Sequence, residues 1–125
     1  MNTDETTPGL KRIDLSGLRK LSGGDKAMEL KYINNFLTSV PIQLKNIETA
    51  LKQDDGNLLY NTFHLLKAQL QFYGIKDAYD EVRNAETLLQ PERKINELIK
   101  KSTEFILNEI TFACSEFEAV KNHYL

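Results

Sequence analysis

No apolar run in this sequence approaches the roughly 20 residues that a membrane-spanning helix needs, so no membrane association is expected. Cysteine occurs once, at Cys114, which excludes an internal disulfide and fits a reducing, cytoplasmic setting. Its neighbours on a helical period are apolar, so the thiol reads as packed rather than reactive. Neither sign of charge dominates: 16 Lys and Arg stand against 18 Asp and Glu, a formal net charge of −2. A clustered basic excess is missing, and with it the usual footprint of a nucleic-acid binder. Glycine-rich phosphate loops, Walker-type motifs and acidic metal clusters are missing too, so neither an ATP site nor a Mg²⁺ site of the chain's own is expected. Histidine occurs twice, at His64 and His123. A metal-binding helical bundle draws on several inward Glu and His side chains, so no metal ligand is assigned. No segment alternates with the period of a strand, and there is no repeat or low-complexity stretch.

What the chain does have is helical periodicity. Its 125 residues, 41% of them hydrophobic, suffice for one domain with one core. Residues 1–11 carry no apolar period and read as a flexible tail, with a polar, acidic start unlike a secretory signal. Met1 favours a free-standing protein, with the folded domain over 12–125. Leu15, Leu18 and Leu21 mark a short amphipathic helix that starts near Asp14 or Ser16 and stops at Gly23-Gly24. Asp25 caps a long helix with the stripe Ile33, Leu37, Val40, Leu44, Ile47 and Leu51. Pro41 falls inside that stripe, yet the register carries across it, which predicts a kinked but continuous helix. Asp54-Asp55-Gly56 reads as a turn, and the next helix runs from about Asn57 to Tyr73, ended by Gly74.

A fourth helix carries Ile75, Ala78, Tyr79, Val82, Ala85 and Leu89 on its stripe, with Glu86 as the polar exception. Pro91 is expected to stop it and start the last helix. There Ile95, Ile99, Ile106, Ile110, Ala113, Phe117 and Val120 share one face, widened by Leu98, Phe105 and Phe112. Helices joined by short turns pack as antiparallel neighbours. The expected fold is all-α: an up-down antiparallel four-helix bundle with an additional short N-terminal helix, its two long helices projecting beyond the middle pair.

The 57–73 helix carries the chemistry. At about 100° per residue, Leu59, Phe63, Leu66, Leu70 and Tyr73 fall on the core side. Tyr60, His64, Lys67, Ala68 and Gln71 fall on the other. His64 should therefore face solvent, one turn from Lys67. No carboxylate occupies 57, 60, 61, 67, 68 or 71, so on this face a phosphoryl group on the imidazole would meet a cation and no repelling anion. Leu58, Leu65 and Phe72 form a second apolar stripe, expected to be partly covered by the short N-terminal helix and open near His64. On periodicity alone, a solvated surface histidine remains the ordinary reading of this face.

The stretch His64-Leu65-Leu66-Lys67-Ala68-Gln69-Leu70-Gln71-Phe72-Tyr73-Gly74 resembles the signature of the histidine-containing phosphotransfer family: His-x-Leu-Lys-Gly, then five residues, then Gly. His64, Leu66, Lys67 and Gly74 match in register. Ile13-Asp14-Leu15-Ser16-Gly17-Leu18, Gly24-Asp25 and Phe36-Leu37 look like the family's opening, and Ala85-Glu86 like its frequent hydrophobic–Glu pair. Ala68 and Gln69 depart from the family's usual Gly and small hydroxyl residue. The resemblance spans roughly Ile13 to Leu89. It implies a phosphocarrier, not an enzyme with kinase activity of its own. His64 would be phosphorylated, Lys67 would steady the phosphoryl oxygens, and Gly74 would shape the turn after the helix. Tyr60, Asn61, Leu65, Ala68, Gln71 and Phe72 would dock a partner. The implied partners are response-regulator receiver domains, which would supply Mg²⁺, and a hybrid histidine kinase, with the chain itself a cytoplasmic monomer. A non-catalytic scaffold of the same fold, binding a receiver without relaying phosphate, is the alternative.

Overall fold

The structure, a computed structural model, describes residues 10–124. Its helices follow in the order α1 (Ser16–Ser22), α2 (Lys26–Lys52), α3 (Gly56–Phe72), α4 (Lys76–Leu89) and α5 (Glu97–Tyr124), and no strand occurs among the described residues. α2 packs on α3, α3 on α4 and α4 on α5, and α5 returns to α2, closing a four-helix ring. α1 packs on α2, tied there by an Arg19–Glu29 ion pair of 3.8 Å. This is the all-α bundle with a short N-terminal helix that the periodicity leads to. At about 1.5 Å per residue, α2 and α5 are roughly 40 Å long, whereas α3 and α4 are about 25 and 21 Å. Among the described residues no helix is long and apolar enough to cross a membrane.

Local sequence accounts for the helix ends. Asp25 accepts hydrogen bonds from the amides of Ala27 and Met28 at 3.0 and 3.2 Å, capping α2. α2 then runs unbroken through Pro41, because the packed stripe on both sides offsets the one missing hydrogen bond. Ile33, Val40 and Ile47 are buried as the stripe requires. Phe36 and Ala50 join them, and Leu37, Leu44 and Leu51 are half-buried, so the core face is turned slightly round the helix. On α3, Leu59, Phe63, Leu66 and Leu70 are fully buried, and Tyr73 just beyond it nearly so. Phe36, Tyr73 and Phe117 meet with ring centroids 4.7–5.6 Å apart, and the Tyr73 hydroxyl donates to the Tyr32 carbonyl at 2.7 Å. Edge contacts of this kind lock α2, α3 and α5 together.

Several expectations are corrected. The left-handed position of the α2–α3 turn is Asp54, with φ 53°. Gly56 is already the first residue of α3, capped by Asp55, and a Cβ there would lie 1.7 Å from the Arg93 carbonyl oxygen. Close backbone approach, not turn geometry, demands this glycine. Pro91 follows the end of α4 but does not start α5, which begins at Glu97 behind an Asn96 cap. Ile95 therefore lies in the connection. Leu98, Phe105 and Phe112 do not widen the core: they are exposed, about 100–140° round α5 from its buried face. Leu21 is exposed, and Ser22 is buried instead. The expected tail lies outside the described residues as far as residue 9. Lys11, placed in that tail, is anchored: its amide and those of Arg12 and Ile13 donate to the Glu116 carboxylate at 2.7–3.1 Å.

Candidate functional site

α3 presents its polar side next to α4, and there the sequence-derived residues meet a partner from the neighbouring helix. The His64 side chain is 63% exposed, and its Nδ1 lies 2.5 Å from Oε2 of Glu86. The other oxygen of the same carboxylate, Oε1, accepts from Lys67 Nζ at 2.7 Å. One buried carboxylate thus holds both motif residues of α3. This corrects the picture of a face free of anions. A wheel of α3 shows what that helix carries and nothing of what α4 brings against it. The signal was nevertheless present, since Glu86 breaks an apolar stripe and a carboxylate buried there requires cationic or donor partners.

The electrostatics settle the proton on the ring. Burial works to raise the Glu86 carboxyl, but the hydrogen bonds and charges of Lys67 and His64 outweigh it and hold it below its ordinary value. Glu86 is therefore ionised at neutral pH. An ionised carboxylate only accepts, so Nδ1 of His64 carries the proton and donates it to Glu86. In the neutral form of the ring this leaves the lone pair on Nε2, across the ring from that bond and on the exposed side. Lys67 is half-buried, and its bond to Glu86 uses one of three ammonium donors.

Above the ring runs a short stack. Tyr60, one turn earlier, lies nearly parallel to His64, with 6.3 Å between centroids and an 11° interplanar angle. The Arg93 guanidinium lies 3.7 Å from the centre of the Tyr60 ring and reaches Asn57 Oδ1 at 3.3 Å. Gly56 allows this, because it lets the Arg93 backbone pass against the start of α3. Between α3 and α4 an open cleft of about 320 Å³ is lined by Tyr60, His64 and Lys67 on one side and by Arg83, Glu86 and Gln90 on the other.

The chain matches no family model, no curated protein and no solved structure.

The remaining sequence-derived residues fall around His64 on α3. Tyr60 is half-buried, while Asn61, Leu65, Ala68, Gln71 and Phe72 are exposed. Leu65 retains 60% and Phe72 42% of its surface. Phe72 leans on Tyr32 of α2, with ring centroids 5.5 Å apart. α1 packs on α2 and leaves Leu65 and Phe72 open; Leu58 is half-buried. Gln69, one of the departures from the family pattern, donates to Ser39 Oγ on α2 at 2.9 Å. Gly74 has φ 69°, and a Cβ on it would lie 2.5 Å from the Asp14 carbonyl oxygen, so the turn after α3 also seats the N-terminal segment. Away from the site, His123 is exposed in the last turn of α5. Burial pushes the Cys114 thiol up to about 11, so it stays protonated at neutral pH. The sequence reading passed over Arg83, Gln90 and Arg93, which no periodicity connects to His64.

Proposed function

We propose that the chain is a histidine phosphotransfer domain that accepts a phosphoryl group on Nε2 of His64 and passes it on. The observation that carries this reading is the Glu86 bond to Nδ1. In the neutral ring it selects the tautomer whose free lone pair is on Nε2, on the exposed side, the form in which imidazole is a nucleophile toward phosphorus. As Nε2 bonds to phosphorus, the bond from phosphorus to the donor's oxygen breaks, and the oxygen leaves as the donor's carboxylate. The ring gains positive charge in that step, and the Glu86 carboxylate against Nδ1–H stabilises it. Lys67, with two donors uncommitted, is placed to meet phosphoryl oxygens. Phosphoryl transfer asks mainly for positioning and charge stabilisation, and these residues offer both.

The proposed partners are receiver domains in the cytoplasm, whose aspartyl phosphate would act as donor and whose aspartate would act as acceptor. They would bring the Mg²⁺ that the reaction requires, and a hybrid histidine kinase would feed the relay. Ala68 and Leu65 beside His64 offer a small, partly apolar surface for a partner. The test is incubation of the chain with phosphorylated receiver domains from the same genome. Acid-labile label should appear on the parent and on His123→Gln but not on His64→Gln, with the fold unchanged in all three. Label that persists in His64→Gln overturns the assignment, and binding without any label would leave a scaffold instead.

A further inference from the structure

The charges around His64 do not balance for a phosphorylated ring. Glu86 and Lys67 cancel, each bonded to the other at 2.7 Å. A phosphoryl group adds most of two negative charges at neutral pH; the positive charge gained by the ring offsets one of them, and about one remains next to the Glu86 carboxylate. A further cation is called for, and the cleft holds one. Arg83 on α4, one turn before Glu86, lines the same cleft as His64, Lys67 and Gln90. Among the described residues the guanidinium's one partner is the Tyr79 ring, 5.8 Å away. Among the described residues no carboxylate lies within ion-pair distance of it. The other nearby guanidinium, Arg93, is already engaged by Tyr60 and Asn57.

We infer that Arg83 is a second phosphoryl-binding cation of this site, beside Lys67: the cleft between α3 and α4 is an oxyanion subsite in which the Arg83 guanidinium takes oxygens of the phosphoryl group borne by His64 Nε2. The inference rests on the phosphotransfer reading and deepens it. A planar guanidinium offers two parallel N–H donors to two phosphoryl oxygens, a geometry an ammonium cannot supply. Lys67 keeps one donor on Glu86 and can offer the phosphoryl group single bonds from the others, while Arg83 adds the paired donors and the uncommitted charge. Its position on α4 also divides the work between helices: α3 carries the nucleophile, and α4 carries both the carboxylate that orients it and a cation that receives its load.

Potassium phosphoramidate tests this without any protein partner. In that reaction Nε2 of His64 bonds to phosphorus, the phosphorus–nitrogen bond of the donor breaks, and ammonia leaves with the proton. In a His123→Gln background, label on His64 is followed by ³¹P resonance and the arginine Nε–H groups by ¹H–¹⁵N spectra. On labelling, the Arg83 Nε–H resonance should shift downfield and become protected from exchange. Those of Arg12 and Arg19, which pair with Glu109 and Glu29, should stay. Arg83→Ala should label about two- to fivefold more slowly. Arg83→Lys should recover only a minor part of that rate, and Lys45→Ala, an exposed cation on α2, should match the parent. A labelled domain in which the Arg83 resonance does not move overturns the inference whatever the rates, and leaves the phosphotransfer reading standing. A folded parent whose His64 takes no label at all removes both.

Discussion

Glu86 is the residue on which the site turns, because it has two duties with different pH signatures. Its carboxyl is held below the ordinary carboxylate value by Lys67 and His64 acting against burial. A carboxyl depressed by folding contributes stability that is fully present above its unfolded value, about 4.3, and that is lost as pH falls through the lower folded value. Glu86→Gln removes that contribution. The parent should therefore exceed the variant by about 1 kcal/mol at neutral pH, a charge-assisted bond discounted for half-exposed partners. The gap should close as pH falls through the range below about 4.3. Urea unfolding of both proteins from pH 7 to pH 3 measures it, and a gap that widens on acidification would reverse the sign assigned to Glu86. The same substitution tests the chemistry. A glutamine that keeps its oxygen on Lys67 turns its NH₂ toward Nδ1, which must then accept, so the proton moves to Nε2. The ring ¹⁵N shifts should report that tautomer, and labelling of His64 should slow about ten- to a hundredfold.

At the scale of the element, α3 has three faces with three fates. The Leu59–Phe63–Leu66–Leu70 stripe is buried, the His64–Lys67 side meets α4, and the Leu65–Phe72 flank stays open. Leu65 keeps most of its surface exposed, so Leu65→Ala should change unfolding free energy by less than about 0.5 kcal/mol. If this flank docks the receiver, Leu65→Ala should still weaken receiver binding, and Ala68→Glu should weaken it more by adding bulk and a negative charge one turn from His64. Calorimetric titration beside a melting curve for each variant separates the two effects. Parent-like receiver affinity in Ala68→Glu would place the partner elsewhere. α5 shows the same division by a different cause. Its Leu98, Phe105 and Phe112 repeat every seven residues as a core stripe does. The bundle uses the face centred on Ile99 and Ile106, against α2 and α4, and leaves the other exposed.

At the scale of the molecule, one carboxylate far along the chain fastens the start of the fold. Glu116 on α5 accepts the amides of Lys11, Arg12 and Ile13, while Arg12 pairs with Glu109 at 3.1 Å and lies 4.2 Å from the centre of the Phe112 ring. The segment then passes Asp14 against Gly74, so residues 11–14 bridge α5 and the α3–α4 turn. Glu116→Gln keeps the shape but loses charge and acceptor capacity. It should destabilise the fold by about 1.5–3 kcal/mol in urea unfolding. It should also speed hydrogen exchange at the three amides while leaving the amides of α3 protected. Unchanged exchange at Lys11 to Ile13 would show that the segment is held by packing alone.

The helices and the exposed side of α3 were legible in the sequence because they depend on local period and end signals. The Asp25 cap, the stripe that carries through Pro41, the Gly74 terminator and the wheel position of His64 all rest on residues within a turn or two of each other. What the sequence left open involves residues far apart along the chain, brought together only by packing. His64 and Glu86 are 22 residues apart and Arg12 and Glu116 are 104 apart, and no periodicity within one helix reports on either pair. Gly56 looked like a turn residue and Leu98 like a core residue for the same reason: their local pattern was right, and the neighbour that decides their role, the Arg93 backbone in one case and the lack of a covering helix in the other, lies elsewhere in the chain. Sequence determined that a histidine and a lysine would stand together on an exposed helix face. Only the tertiary structure decided that a buried carboxylate would hold them both, and so which nitrogen of the ring carries the proton.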